Sequence, residues 1–97
     1  SQAYLRFINL SHNSPLLTLS LPNNFILFNE AEYLETTSYY QLSPGIYNFE
    51  VLFASSDVTA KYIKNITLVG GKFYTIYILG VFNGKPVIGY LLTEDLI

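Results

Sequence analysis

Two stretches decide the fold: Tyr47-Asn48-Phe49-Glu50-Val51-Leu52-Phe53 and Phe73-Tyr74-Thr75-Ile76-Tyr77-Ile78-Leu79. In the first, a period of two places Tyr47, Phe49, Val51 and Phe53 on one face of a strand and Asn48 and Glu50 on the other. The second is apolar on both faces, as in a central strand covered on two sides. The same short alternating runs, rich in Val, Ile, Thr, Tyr and Phe, continue outward and show no helical stripe. They predict strands over Ala3 to Asn9, Leu16 to Leu21, Phe25 to Phe28, Leu34 to Leu42, Ile46 to Ala54, Ala60 to Leu68, Lys72 to Phe82 and Pro86 to Thr93. Only Asn29 to Leu34 has room for a helical turn. Turn residues recur every eight to twelve positions, a spacing that belongs to sandwiches and barrels. The expected fold is all-β: an antiparallel β-sandwich or barrel of seven or eight strands, one domain over residues 1–97.

Three turns have definite backbone chemistry. Asn83-Gly84 between two apolar runs predicts a two-residue type I′ hairpin, because both central positions need positive φ. Its register would set Tyr77 opposite Tyr90, Leu79 opposite Ile88, Ile78 opposite Gly89 and Gly80 opposite Val87. Ser43-Pro44-Gly45-Ile46 suits a type II turn with Gly45 at the positive-φ position. Gly70-Gly71 permits either a tight hairpin or a crossing between sheets.

Composition removes whole classes of function. Hydrophobic residues make up 51% of the chain and charged residues 12%, with a formal net charge of −2. That balance argues against disorder and against electrostatic binding of nucleic acid, and Lys61, Lys64, Lys72 and Lys85 are too scattered to form a basic patch. There is no cysteine and a single histidine, so disulfides, thiolate nucleophiles and multi-histidine metal centres are out. No cofactor is expected. No apolar run approaches the length of about eighteen residues that a spanning helix needs. Without any Met, the chain is expected to be processed or a piece of a longer one. The absence of cysteine and the low lysine content favour an extracytoplasmic location.

Arg6 in the first strand, His12-Asn13-Ser14-Pro15 after it, Leu42-Ser43-Pro44-Gly45-Ile46-Tyr47, and Gly71-Lys72-Phe73-Tyr74-Thr75 followed by Gly80 form an ordered set. Together they resemble the domain of unknown function family 4397, over nearly the whole chain. The resemblance implies an immunoglobulin-type sandwich in a secreted or envelope-attached bacterial protein, and no biochemical activity. Where the family has an Asp and then a Val-Asp-Val-like strand after His-x-Ser-Pro, this chain has Leu16, Leu17 and Thr18. No role that uses those acidic groups carries over.

The candidate residues divide into structural and surface groups. Tyr47 and Tyr74 each follow a glycine turn (Gly45, Gly71), where a tyrosine can bury its ring and hydrogen-bond nearby backbone through its hydroxyl. Arg6, flanked by Leu5 and Phe7, needs a partner such as Glu50 or a tyrosine face. His12 is expected to bond its turn, and a triad of Ser14, His12 and Asp57 lacks any nucleophile-elbow motif. Glu30, Glu32 and Glu35 read as a solvated loop, and Glu94-Asp95 as the start of a linker. Tyr33, Tyr39, Tyr40, Tyr62 and Tyr90 exceed the needs of a small core and could meet a protein or a glycan. The expected function is a non-catalytic protein-interaction or spacer module, whose partner is this chain itself or another envelope protein. The alternative is a carbohydrate-binding module that uses exposed tyrosines. Tyr47→Ala is expected to cost roughly 3–5 kcal/mol, measured as a fall in melting temperature of more than about 4 °C.

Overall fold

The computed structural model describes residues 1–54, 56 and 58–96. Eight strands follow one another: β1 (Ala3–Asn9), β2 (Leu17–Leu21), β3 (Phe25–Ala31), β4 (Tyr40–Leu42), β5 (Gly45–Phe53), β6 (Thr59–Leu68), β7 (Phe73–Leu79) and β8 (Gly89–Asp95). They form two four-stranded sheets, ordered β4-β1-β7-β8 and β3-β2-β5-β6. One core lies between them. Leu5, Phe7, Ile76 and Ile78 of the first sheet and Leu17, Leu19, Phe49 and Val51 of the second are essentially fully buried. Burying each such side chain is worth about 1.5–3 kcal/mol. The period of two in β5 and the central place of β7 both match the sequence reading.

The sandwich is immunoglobulin-like in its two packed sheets but differs in strand order. Immunoglobulin constant domains run ABED and CFG, whereas here the first strand lies between the fourth and the seventh. It pairs antiparallel with β4 and parallel with β7, Tyr4 facing Phe73 and Asn9 facing Ile78. Among the eight strands described, every other pair is antiparallel.

Several local expectations are corrected. The β7–β8 connection is not a two-residue hairpin. Gly80 (φ 97°) turns the chain out of the ladder straight after β7, Pro86 has no N–H with which to extend it, and residues 80–88 form a loop closed by Val81 N–H on the Pro86 carbonyl at 2.8 Å. The register slips by one, so that Tyr77 faces Leu91 and Ile78 faces Tyr90. Leu91 thus goes to the outer face and Tyr90 to the inner one. The tight turn lies instead between β2 and β3, where Asn23 (φ 65°) and Asn24 (φ 61°) supply two left-handed residues in succession.

Gly45 is not the left-handed centre of a turn. It opens β5 opposite Leu68 with nearly extended backbone, and Ser43-Pro44 carries the chain from one sheet to the other. Gly70-Gly71 makes the second of its two permitted connections, a crossing from β6 to β7, with Gly71 at φ 79°. The Leu34 to Leu42 strand shrinks to Tyr40–Leu42. Thr37 takes over part of the ladder, its hydroxyl accepting the Phe7 N–H at 2.9 Å while its own N–H donates to the Phe7 carbonyl. No helical turn forms at Asn29 to Leu34; β3 runs on to Ala31. Among the described residues no helix is long and apolar enough to cross a membrane.

Gly80 makes the sharpest local test. A Cβ there would lie 2.3 Å from the Val87 carbonyl oxygen, in a left-handed conformation that alanine resists. Gly80→Ala is expected to cost more than about 1 kcal/mol, seen as a melting temperature lowered by at least about 4 °C.

Candidate functional site

The outer face of the β4-β1-β7-β8 sheet follows directly from strand alternation. With Leu5 and Phe7 turned into the core, Tyr4, Arg6 and Ile8 of β1 point out. Their neighbours on β7 are Phe73, Thr75 and Tyr77, and the next along on β8 are Asp95, Thr93 and Leu91. A polar cluster occupies the middle of this face. The Arg6 Nε–H donates to Thr75 Oγ1 at 2.9 Å, and the Thr75 hydroxyl donates to Asp95 Oδ2 at 2.6 Å. The Tyr39 hydroxyl donates to the same carboxylate oxygen at 2.6 Å, and Thr93 donates to Oδ1 at 3.2 Å. Arg6 Nε lies 3.6 Å from Asp95 Oδ2, and its guanidinium sits 4.9 Å from the centre of the Tyr39 ring.

Burial alone would raise the pKa of Asp95. The hydrogen bonds from Thr75, Tyr39 and Thr93, together with the Arg6 charge, outweigh it and hold the carboxyl below its ordinary value. Tyr39 moves upward, through burial first and then through the bond to Asp95 and its charge. Arg6 thus has both kinds of partner expected of it, a carboxylate and a tyrosine face. The carboxylate is Asp95, not Glu50, which lies in the other sheet and accepts from Thr59 at 3.5 Å. Asp95 and Glu94 belong to β8, not to a linker, and Glu94 pairs with Lys72 at 3.4 Å.

Tyr74 is buried and its hydroxyl accepts the Val69 N–H at 2.9 Å. Tyr47 is half-buried, stacks on Phe49 and donates to the Ser43 carbonyl at 2.6 Å. Its partial exposure moves the expected cost of Tyr47→Ala toward the lower end of the range given above. Gly71 donates its N–H to the Gln2 carbonyl at 2.8 Å, which ties the sheet crossing to the start of β1.

The five surface tyrosines do not converge. Tyr33 is exposed in the loop beside His12, Tyr39 lies under Arg6, and Tyr40 packs against the core edge-on to Phe28. Tyr62 stands exposed on the outer face of the second sheet, and Tyr90 flanks the core at the β8 edge. The aromatic group that does form, Tyr4, Phe73 and Tyr39, turns its ring surfaces on itself: Tyr4 and Phe73 stack at 4.4 Å, and Tyr39 meets Phe73 edge-on at 5.1 Å. Flat stacking on a sugar needs open ring faces, and in this group Tyr4 and Phe73 each give one face to the other.

His12 is exposed and lies edge-on to Tyr33. Its neighbours bond the loop. Asn13 clamps Phe82, accepting its N–H at 2.9 Å and donating to its carbonyl at 3.2 Å. Asn9 donates to the Ala31 carbonyl and accepts the Ser11 N–H, and the Ser11 hydroxyl reaches the Gly80 carbonyl. Ser14 donates to the Ser11 carbonyl, and Asp57 lies outside the described residues. Glu32 and Glu35 close their own turn through the Glu32 N–H on Glu35 Oε1 at 3.0 Å. Among the described residues no three His, Asp or Glu side chains gather to share a metal ion. A shallow groove of about 400 Å³ beside β2 and β3 is lined by Thr18, Ile26, Asn29 and Leu52. One of about 480 Å³ at the sandwich end is lined by Phe53, Phe82 and Val87; neither contains His12.

The model of one family, described as a domain of unknown function, matches residues 2–96. The chain belongs to the DUF4397 family. Among solved structures, this DUF4397 domain is similar to the C-terminal domain of AlgF from P. aeruginosa. The two are 19% identical with a TM-score of 0.67 over 97% of this chain and 98% of that one, a likeness of fold. No curated protein matches the chain in sequence. Three of the stretches quoted for the family likeness sit at junctions, the Asn13 clamp, the Ser43-Pro44 crossing under Tyr47 and the Gly71 crossing, while Arg6 lies within β1 beside Asp95. Sequence reading missed Asp95, Thr75 and Thr93. The available signal was a lone threonine in the apolar run of β7, on the same face as Arg6 once β1 and β7 are paired.

Asp95 makes the acid side of stability predictable. With its folded pKa depressed, its contribution is present above the unfolded value of about 3.9 and is lost as pH falls through the folded value. Asp95→Ala is expected to cost roughly 1.5–3 kcal/mol at neutral pH. Asp95→Asn should flatten the decline in melting temperature below about pH 4, and an unchanged acid limb would count against the cluster.

Proposed function

We propose that this DUF4397 domain is a non-catalytic protein-interaction or spacer module of a secreted or cell-envelope bacterial protein. The observation that carries the reading is how its groups are divided. The tightest polar cluster is occupied internally, while large apolar side chains stand out on the sheet faces. Ile26 and Tyr62 lie in one outer row of the second sheet with Ser20 and Glu50 between them, and Ile46 lies on the same face. Ile46 is 72% exposed, and exposed apolar residues of this kind are material for a protein interface. The similar AlgF structure is itself a C-terminal domain, which supports a module within a longer protein. The extracytoplasmic location rests on the cysteine-free, lysine-poor composition.

Photo-crosslinkers placed at Ile46 and Tyr62 in the parent protein, in its own cells, are expected to give protein adducts. Absence of adducts from both positions would refute the protein-interaction half of the reading. Titration with soluble oligosaccharides is expected to leave the NMR signals of Tyr33, Tyr39, Tyr40, Tyr62 and Tyr90 unmoved; saturable shifts there would restore the carbohydrate-binding alternative.

A further inference from the structure

The two sheets have four edge strands, and three of them are guarded. β4 has only three residues. β3 is broken by register shifts against β2 and by Glu30 at φ 54°. β6 carries Lys61 and Lys64, register shifts, and Asn65 at φ 60°. Short length, bulges and lysines are the devices by which sheet edges resist pairing with another chain. β8 has none of these three; its charges are Glu94, in the inner row and paired with Lys72, and Asp95, held in the polar cluster. Its seven residues pair with β7 in unbroken register, with no lysine, proline or left-handed residue among them. It also presents Tyr90 (37% exposed) and Leu91 (50% exposed).

We propose that β8 is a self-association edge, where a second copy of this chain adds its own β8 antiparallel about a two-fold axis through Leu92. The strand Gly89-Tyr90-Leu91-Leu92-Thr93-Glu94-Asp95 is self-complementary in that register. Leu92 faces Leu92 of the second copy, Leu91 faces Thr93, Tyr90 faces Glu94 and Gly89 faces Asp95. No carboxylate stands opposite another, and each Tyr90 hydroxyl has a Glu94 acceptor across the pair. A two-fold normal to the sheet keeps inner residues opposite inner ones. The outer row Ile8–Tyr77–Leu91 of one copy then continues into Thr93, Thr75 and Arg6 of the other. With a net charge of −2 per chain, repulsion between copies is small. The pairing would join two four-stranded sheets into one of eight. This goes beyond the module reading, whose crosslinking test concerns the other sheet and can fail independently.

Sedimentation velocity on the chain over a concentration series up to millimolar is expected to show a monomer–dimer equilibrium. Tyr90→Glu, which sets like charges opposite each other twice, should leave a monomer with an unchanged β spectrum. Tyr90→Glu with Glu94→Lys should restore the dimer. Amides of Gly89 to Asp95 should gain hydrogen-exchange protection as concentration rises. A wild-type chain that stays monomeric throughout, whatever else pairs with β8, would overturn the proposal. So would a dimer indifferent to Tyr90→Glu, or one whose β8 amides gain no protection.

Discussion

The parallel pairing of β1 with β7 is the constraint on which the rest of the domain depends. It places residues 4–9 beside residues 73–78, in the middle of a sheet. Parallel neighbours cannot be joined by a short turn, and here the whole second sheet intervenes between them in sequence. The core follows from that placement. Leu5 and Phe7 of β1 and Ile76 and Ile78 of β7 form adjacent buried columns, against which Leu19 and Phe49 pack from the opposite sheet. The same pairing brings Arg6 alongside Thr75 and so creates the polar cluster with Asp95.

That cluster shows how a small apolar domain accommodates charge. Thr75 is fully buried although it points away from the core, because Arg6, Tyr39 and Asp95 cover it. Among the described residues no buried side-chain nitrogen or oxygen lacks a hydrogen-bond partner. An unpaired charge in that position would be costly. As built, the group connects β1, β7, β8 and the segment before β4, three strands and a loop that apolar packing on the inner face alone would hold less specifically.

The period of two made the sandwich, the inward face of β5 and the central position of β7 legible before any coordinates. Side-chain alternation is local, and burial obeys it. What the sequence left open was non-local. Arg6 was seen to need a partner, but Asp95 is almost the whole chain away and lay in a stretch that reads as a tail. Asn83-Gly84 carried the strongest hairpin signal, yet Pro86 two residues later and the early turn at Gly80 removed the ladder that such a turn would close. The Leu34 to Leu42 run was over-read because Thr37 substitutes a hydroxyl for a backbone partner. For the surface tyrosines, propensity said that the rings were surplus but not where they would point. Four of the five have a partner on the ring: Tyr33 meets His12, Tyr39 Arg6, Tyr40 Phe28 and Tyr62 Lys64.

The central position of the first strand also bears on how the chain is made. A ribosome delivers residues 3–9 roughly seventy residues before the strand they must lie beside, with only the three-residue β4 and the Tyr33 to Thr37 segment offering partial pairing before then. The second sheet can assemble from its own hairpins while the leading strand waits, exposing Leu5 and Phe7. Completion of the sandwich is thus deferred until β7 has been made, and a nascent chain halted before β7 would present an unfinished, adhesive layer to whatever handles it.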